Sequence, residues 1–143
     1  MTTIPGHPPL IIGLGCSSAA SADEVVALIA ACLAEIDRDS AHISAFATHV
    51  RKRSSLALAQ AARHYEVPLR LLADDDLALD VPGTCEAVAA AAGPLLLGKR
   101  KSRYATCAIA ACRPGFVLSA FGQPESPSAA MAASTLATSL AGP

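Results

Sequence analysis

The segment Leu10-Ile11-Ile12-Gly13-Leu14-Gly15-Cys16-Ser17-Ser18 constrains this chain more than any other. A short apolar run that breaks into glycines reads as a buried strand, because a strand covered on both faces has no polar side to alternate with. Ser21-Ala22-Asp23-Glu24 follows almost at once and opens a helix. A strand that turns through glycines into a helix leaves a Cβ-poor turn and unpaired helix N–H groups at its carboxyl end. α/β proteins hold ligands at such an edge.

The rest of the chain repeats this alternation. Met1–Pro9, with three prolines and a glycine, form an irregular lead-in. Strand one runs over Leu10–Leu14. In the helix after it, Ser21 and Glu24 have capping-box spacing, and Val25, Leu28, Ile29, Cys32, Leu33 and Ile36 draw one apolar stripe. Ile43–Ala47 is strand two and Leu56–His64 a second helix, ended by Val67-Pro68 because the residue before proline avoids helical angles. Leu69–Leu72 is strand three. Thr84 caps an Ala-rich third helix that stops at Gly93-Pro94. Leu95–Gly98 and Tyr104–Ala110 then read as a hairpin with the basic segment as its loop. The expected fold is α/β: a three-layer α/β/α sandwich on a mostly parallel five-stranded sheet with an antiparallel C-terminal strand. It occupies a single domain, 10–122, followed by a Pro/Ser/Ala-rich tail, 123–143, either a short helix or disordered.

Composition removes several function classes. The 143 residues hold two Tyr, three Phe and no Trp, so there is no platform for stacking bases. A net charge of −1 gives no surplus to neutralise a phosphate backbone, and nucleic acid is not an expected partner. The longest apolar stretch, Ala87–Leu97, is broken by Gly93 and Pro94 and is too short to span a bilayer. Cys16, Cys32, Cys85, Cys107 and Cys112 are odd in number and form no CxxC pair, which points to a reducing cytoplasm. His7, His42, His49 and His64 lack metal spacing; no metal and no cofactor is expected. Gly13-Leu14-Gly15 also lacks the third glycine of a dinucleotide fingerprint.

What remains is where the charges fall. Parallel topology sends the Gly13–Ser18 turn, the Thr48–Arg53 loop, the Asp74–Glu86 loop and the basic segment Lys99-Arg100-Lys101-Ser102-Arg103 to one rim. Such a rim suits a ligand with several carboxylates or phosphates. Of the histidines only His49 stands on it. Cys16 is either a reactive thiol near a helix start or a small residue filling the turn. From these residues alone the chain is an α/β ligand binder.

Read together, Ile12-Gly13-Leu14-Gly15-Cys16, Glu24-Val25, Leu28-Ile29, Ala47-Thr48 with Lys52, Val67-Pro68-Leu69, Gly83-Thr84-Cys85-Glu86-Ala87, and Lys99-Arg100-Lys101 with Ala105–Ala110 resemble the CobE/CbiG C-terminal domain family of cobalamin biosynthesis. The likeness covers Leu10 to Pro114. It implies a polycarboxylate tetrapyrrole, a precorrin or corrin, as ligand. The positions it suggests for binding are Gly13, Gly15, Cys16, Thr48, Lys52, Thr84, Glu86, Lys99, Lys101 and Thr106. The chain departs from the family pattern at Ser17-Ser18, at His49-Val50 and in a shortened segment between Leu79 and Gly83, which leaves Lys52, Lys99 and Lys101 as the stronger candidates.

Three functions follow from this reading. The first is an accessory binder or carrier of a pathway intermediate, working beside other corrin-pathway enzymes. The second is a hydrolase or lyase at the precorrin-5 lactone-opening, acetaldehyde-releasing stage, with Glu86, Thr106 or Lys52 moving the proton. The third is a structural or partner-protein module in which the Ala-rich helices and the tail form a homodimer.

Overall fold

The computed structural model describes residues 7–77 and 83–125. The first six residues, the shortened segment between Leu79 and Gly83, and the tail from 126, with its two alternatives, lie outside the described residues. The elements are β1 (Leu10–Cys16), α1 (Ala22–Glu35), β2 (Ile43–His49), α2 (Leu56–Tyr65), β3 (Leu69–Leu72), α3 (Thr84–Ala90), β4 (Leu95–Lys101), β5 (Ala105–Ala111) and β6 (Gln123–Pro124), with single 3-10 turns between several of them.

The α/β reading holds. One sheet has the order β4-β5-β1-β2-β3-β6. β1 pairs parallel with β2 and β2 with β3, whereas β5 runs antiparallel to both β1 and β4. Strands β1 to β4 therefore all point one way, and their carboxyl ends share an edge. The sheet gains a sixth strand where Gln123 and Pro124, assigned to the tail from sequence, pair antiparallel with β3. Arg70 secures that strap: its Nε donates to the Phe121 carbonyl at 2.7 Å and its Nη2 to that of Gly122 at 3.1 Å.

Side-chain alternation along β1 builds the three layers. Leu10, Ile12 and Leu14 pack under α1 and α2 with Val25, Ile29, Phe46 and Leu58, while Ile11 packs on the other face with Ala45, Ala47, Val88 and Ala92. Each buried Leu or Ile contributes about 1.5–3 kcal/mol. The expected α1 stripe is the buried one, Val25, Leu28, Ile29, Cys32 and Leu33. On the opposite face α3 comes so close that a methyl on Gly13 would sit 2.2 Å from the Cys85 carbonyl oxygen. Glycine is needed there for packing. Among the described residues no helix is long and apolar enough to cross a membrane.

Three local expectations change. The basic segment is strand rather than loop: Lys99, Arg100 and Lys101 belong to β4, and only Ser102–Tyr104 turn. An exposed edge strand tolerates Lys and Arg because its outer groups face water. The α3 cap is Gly83, with φ 78°, and not Thr84, which is already helical. Half of the α1 capping box forms. Ser21 Oγ accepts the Glu24 N–H at 3.1 Å, but the Glu24 carboxylate turns to the Ser102 hydroxyl and the Tyr104 N–H instead. Those two donors, with Arg103 nearby, hold the Glu24 carboxyl below its ordinary pKa.

Candidate functional site on the carboxyl rim

Two hollows meet at the carboxyl ends of the strands. One, about 340 Å³, is lined by Cys16, Ser17, Ser18 and Ala20 after β1, and by Arg51, Lys52 and residues 54–57 at the start of α2. The other, about 260 Å³, lies between the ends of β1, β2, β4 and β5 and the start of α3; its walls include Thr48, His49, Thr84, Cys85, Lys99 and Thr106. Cys16, Arg51 and Lys52 line both, so the hollows form one cleft with a cationic divider.

Local chemistry fixes that divider. His49 ends β2 and is buried. Its Nδ1 accepts the Arg51 N–H at 3.1 Å, and its Nε2 lies 2.6 Å from Asp74 Oδ1. A ring whose Nδ1 accepts carries its proton on Nε2, so His49 donates to Asp74. The imidazole thereby pins the 3-10 turn Val50–Lys52. Arg51 reaches across the mouth, where its Nη2 donates to Thr84 Oγ1 at 3.2 Å. Cys16 Sγ lies 3.4 Å from the hydroxyl of Ser55, which caps α2 by accepting the Leu58 N–H.

On β4, Arg100 turns to the α1 face and pairs with Glu35 at 3.1 Å, which leaves Lys99 on the cleft side. Cys85 is buried beneath it. Burial pushes that thiol up, and a hydrogen bond from Thr106 offsets the rise in part. Thiolate chemistry at Cys85 is thus disfavoured.

Seven of the ten binding positions expected from sequence line the smaller hollow: Gly15, Cys16, Thr48, Lys52, Thr84, Lys99 and Thr106. Three do not. Gly13 lies under α3. The Glu86 carboxylate lies beside Gly83 and Gly98, outside the lining of the hollow. Lys101 stands opposite Thr106 in the ladder, exposed and off the lining. Within the seven, Thr48 serves the fold as well, since its hydroxyl donates to the Leu14 carbonyl at 2.7 Å. Cys16 lies beside the start of α2, at the Ser55 hydroxyl. The expected site omitted Arg51, the His49–Asp74 pair and the serines around Ser55. A histidine at the carboxyl end of a strand, two residues before an arginine, was the signal available for the first two. Among the described residues, no group of three His, Cys, Asp or Glu side chains could hold a metal ion.

Fold and cleft define a class: a three-layer α/β domain with a cationic, hydroxyl-lined cleft at the ends of its co-directional strands. The comparisons place it more narrowly. Cobalamin synthesis G C-terminus matches residues 10–110, and the chain belongs to this CobE/CbiG C-terminal family of cobalamin biosynthesis proteins. The structure of CobE, a protein from the cobalamin (vitamin B12) biosynthetic pathway, is similar with a TM-score of 0.66 and 28% identity, over 79% of this chain and 95% of that one. The fold is shared by the cobalamin biosynthesis protein chiG of Agrobacterium tumefaciens, with TM-score 0.61, 24% identity, and coverage of 72% of this chain and 98% of that one. A cobalamin biosynthesis protein G homologue of Sulfolobus solfataricus shares it too, with TM-score 0.60 and 22% identity over 74% of this chain but 37% of that one. Comparison with curated protein sequences gives no match.

Proposed function

We propose that the rim receives a polycarboxylate tetrapyrrole, a precorrin or corrin intermediate, and that the protein serves cobalamin biosynthesis as an accessory or carrier that passes this intermediate to other enzymes of the pathway. One observation carries the reading. Arg51, Lys52 and Lys99 converge on a single cleft, and none of the three has an ion-pair partner among the described residues. Clustered cations left unpaired repel one another, and a carboxylate relieves that repulsion with charge-assisted hydrogen bonds of about 1.5–3 kcal/mol each. The threonine and serine hydroxyls beside them supply the remaining partners.

Absorbance titration with hydrogenobyrinic acid, at low and high salt, tests it. Lys52→Ala and Lys99→Ala should each weaken binding about tenfold and flatten its salt dependence. Lys101→Ala, off the cleft, should stay near wild type. A fully amidated, uncharged corrinoid that bound as tightly as the polycarboxylate would refute the charge matching.

The hydrolase or lyase reading ranks second, favoured by the His49–Asp74 pair in the wall of the smaller hollow. Imidazole paired with carboxylate is a common acid–base arrangement. Here both ring nitrogens are occupied, by Asp74 and by the Arg51 N–H, so the imidazole positions the cationic turn and has no free nitrogen to take a proton. Acetaldehyde released from a lactone-bearing precorrin by the purified chain would reverse this ranking.

A further inference from the structure

At the edge of the sheet opposite the rim a hollow of about 620 Å³ opens between Pro8 and Pro9 ahead of β1, Ser44 of β2, Pro94 ahead of β4, and the segment after β5, where Phe116 and Leu118 line it. Its charged residue, Arg113, gives its guanidinium to the Ala91 carbonyl at 2.8 Å, so the walls offer chiefly apolar contact. Val117, between two wall residues, is 57% exposed, more than any other large hydrophobic among the described residues. An apolar hollow with such a lip marks a contact surface.

The chain itself leads there. β6 runs antiparallel to β3, with Gln123 opposite Leu71 and Pro124 opposite Arg70, so at Glu125 the chain leaves the sheet heading for this same amino edge. β2, which brings Ser44 to the hollow, lies two strand spacings from β6, roughly 10 Å. The strap already touches the hollow's wall: Phe121, just ahead of β6, meets Phe116 edge to face with ring centroids 5.1 Å apart. Arg63 pairs with the Glu125 carboxylate and fixes the point from which the remaining chain sets out. Residues 126–143 then carry no charged side chain. Even at the helical rise these eighteen residues reach about 27 Å, well beyond the span required. At helical spacing Ala129, Ala132, Leu136 and Leu140 would share one face. The lead-in, by contrast, offers two large apolar side chains, Met1 and Ile4.

We infer that the segment 126–143 crosses the amino edge of the sheet and covers this hollow, with Leu136 and Leu140 against Phe116, Val117 and Leu118. An uncharged segment meets an uncharged surface, and the contact completes the base of the domain. The inference concerns the end of the sheet away from the rim and stands apart from the ligand reading.

The test uses the full chain and Nile red, an uncharged dye that a cationic cleft does not attract and that brightens on apolar surface. The wild-type chain should leave it dark. Leu136→Asp combined with Leu140→Asp should raise its emission about fivefold, as exposed apolar surface does. In the same variant the Phe116 and Phe121 amides, which donate to the Arg113 and Leu118 carbonyls, should exchange about tenfold faster. Val117→Asp puts the charge on the other side of the contact, at an exposed position that the fold tolerates, and should reproduce both changes. Ile4→Asp should produce neither. A wild-type chain that lit the dye, or variants in 126–143 that left both readouts unchanged, would overturn the inference. A response to Ile4→Asp would assign the hollow to the lead-in, and readouts that varied with protein concentration would assign it to a second copy; either result would overturn it as well.

Discussion

The two ends of the sheet present opposite kinds of cavity. At the amino end of β1 lies a hollow of about 620 Å³, larger than either hollow on the rim, lined mainly by Pro8, Pro9, Pro94, Cys112, Phe116 and Leu118. Its charged residue, Arg113, spends its guanidinium on the Ala91 carbonyl at 2.8 Å. The rim hollows are smaller, yet Arg51, Lys52 and Lys99 meet there with hydroxyls around them. The proposed site is therefore distinguished not by size but by the convergence of cations that lack an ion-pair partner among the described residues. The contrast follows from topology. Parallel strands deliver their exits to one edge, where loops carry polar side chains, whereas the other edge is braided shut by backbone bonds such as Arg113 N–H to the Ala92 carbonyl at 2.9 Å.

The sharpest way to break the comparison is to place the same methyl group at each end. On Gly93, at the braided end, it would fall 2.0 Å from the Ala111 carbonyl oxygen and 2.8 Å from the Arg113 nitrogen, both backbone atoms that cannot give way. On Gly15, at the rim, it would meet only the Thr106 hydroxyl, at 2.7 Å. Gly93→Ala should cost about 3 kcal/mol or prevent folding, and Gly15→Ala about 1 kcal/mol, read as unfolding midpoints in urea. Equal losses would mean that the rim is as tightly built as the base.

A smaller effect separates the ends by alkaline pH. At the base, burial raises the Cys112 thiol to about 11. The unfolded chain then loses this proton first, so the folded state binds more protons between the ordinary thiol value and 11, and stability falls as pH rises through that window. The contribution is between about 2 and 3 kcal/mol. Cys112→Ala should remove that part of the alkaline slope between pH 9 and 11 in chemical denaturation. An unchanged slope would assign it to Cys85 and Tyr65, which burial also raises.

Much of this architecture is legible in the sequence, for reasons tied to particular residues. β3 lies where Leu69–Leu72 predicts it, and the α1 stripe faces the core, because a hydrophobic period survives whatever packs on it. The gathering of Thr48, Lys52, Thr84 and Lys99 was also legible, since it needs only the order of strands and helices. The β4 boundary was not: Lys99-Arg100-Lys101 has loop composition, and only its pairing with Cys107 and Thr106 makes it strand. Nor could sequence separate Gly13 from Gly15. They lie on one face about 7 Å apart, one under α3 and the other beyond its first residues. The His49–Asp74 bond joins positions 25 residues apart and becomes visible only in three dimensions.

The smallest expected effect concerns acid pH at the β4–β5 turn beside the rim. Glu24 accepts from the Ser102 hydroxyl and the Tyr104 N–H, and these bonds hold its pKa below that of the unfolded chain. A depressed carboxyl adds stability that is present above its unfolded value and is lost as pH falls through the folded one. Acid should therefore loosen the β4–β5 turn before it affects the braided base. Hydrogen exchange is the direct measure: on lowering the pH into the carboxyl range, protection of the Tyr104 and Ser17 amides should drop relative to that of Ala111 and Arg113. In Glu24→Gln this difference should be present already at neutral pH and should no longer respond to acid, since the amide cannot titrate. Turn amides that kept full protection in that variant would show that the Ser17 N–H bond to the Tyr104 carbonyl is enough to hold the tip in place, and that Glu24 adds nothing to it.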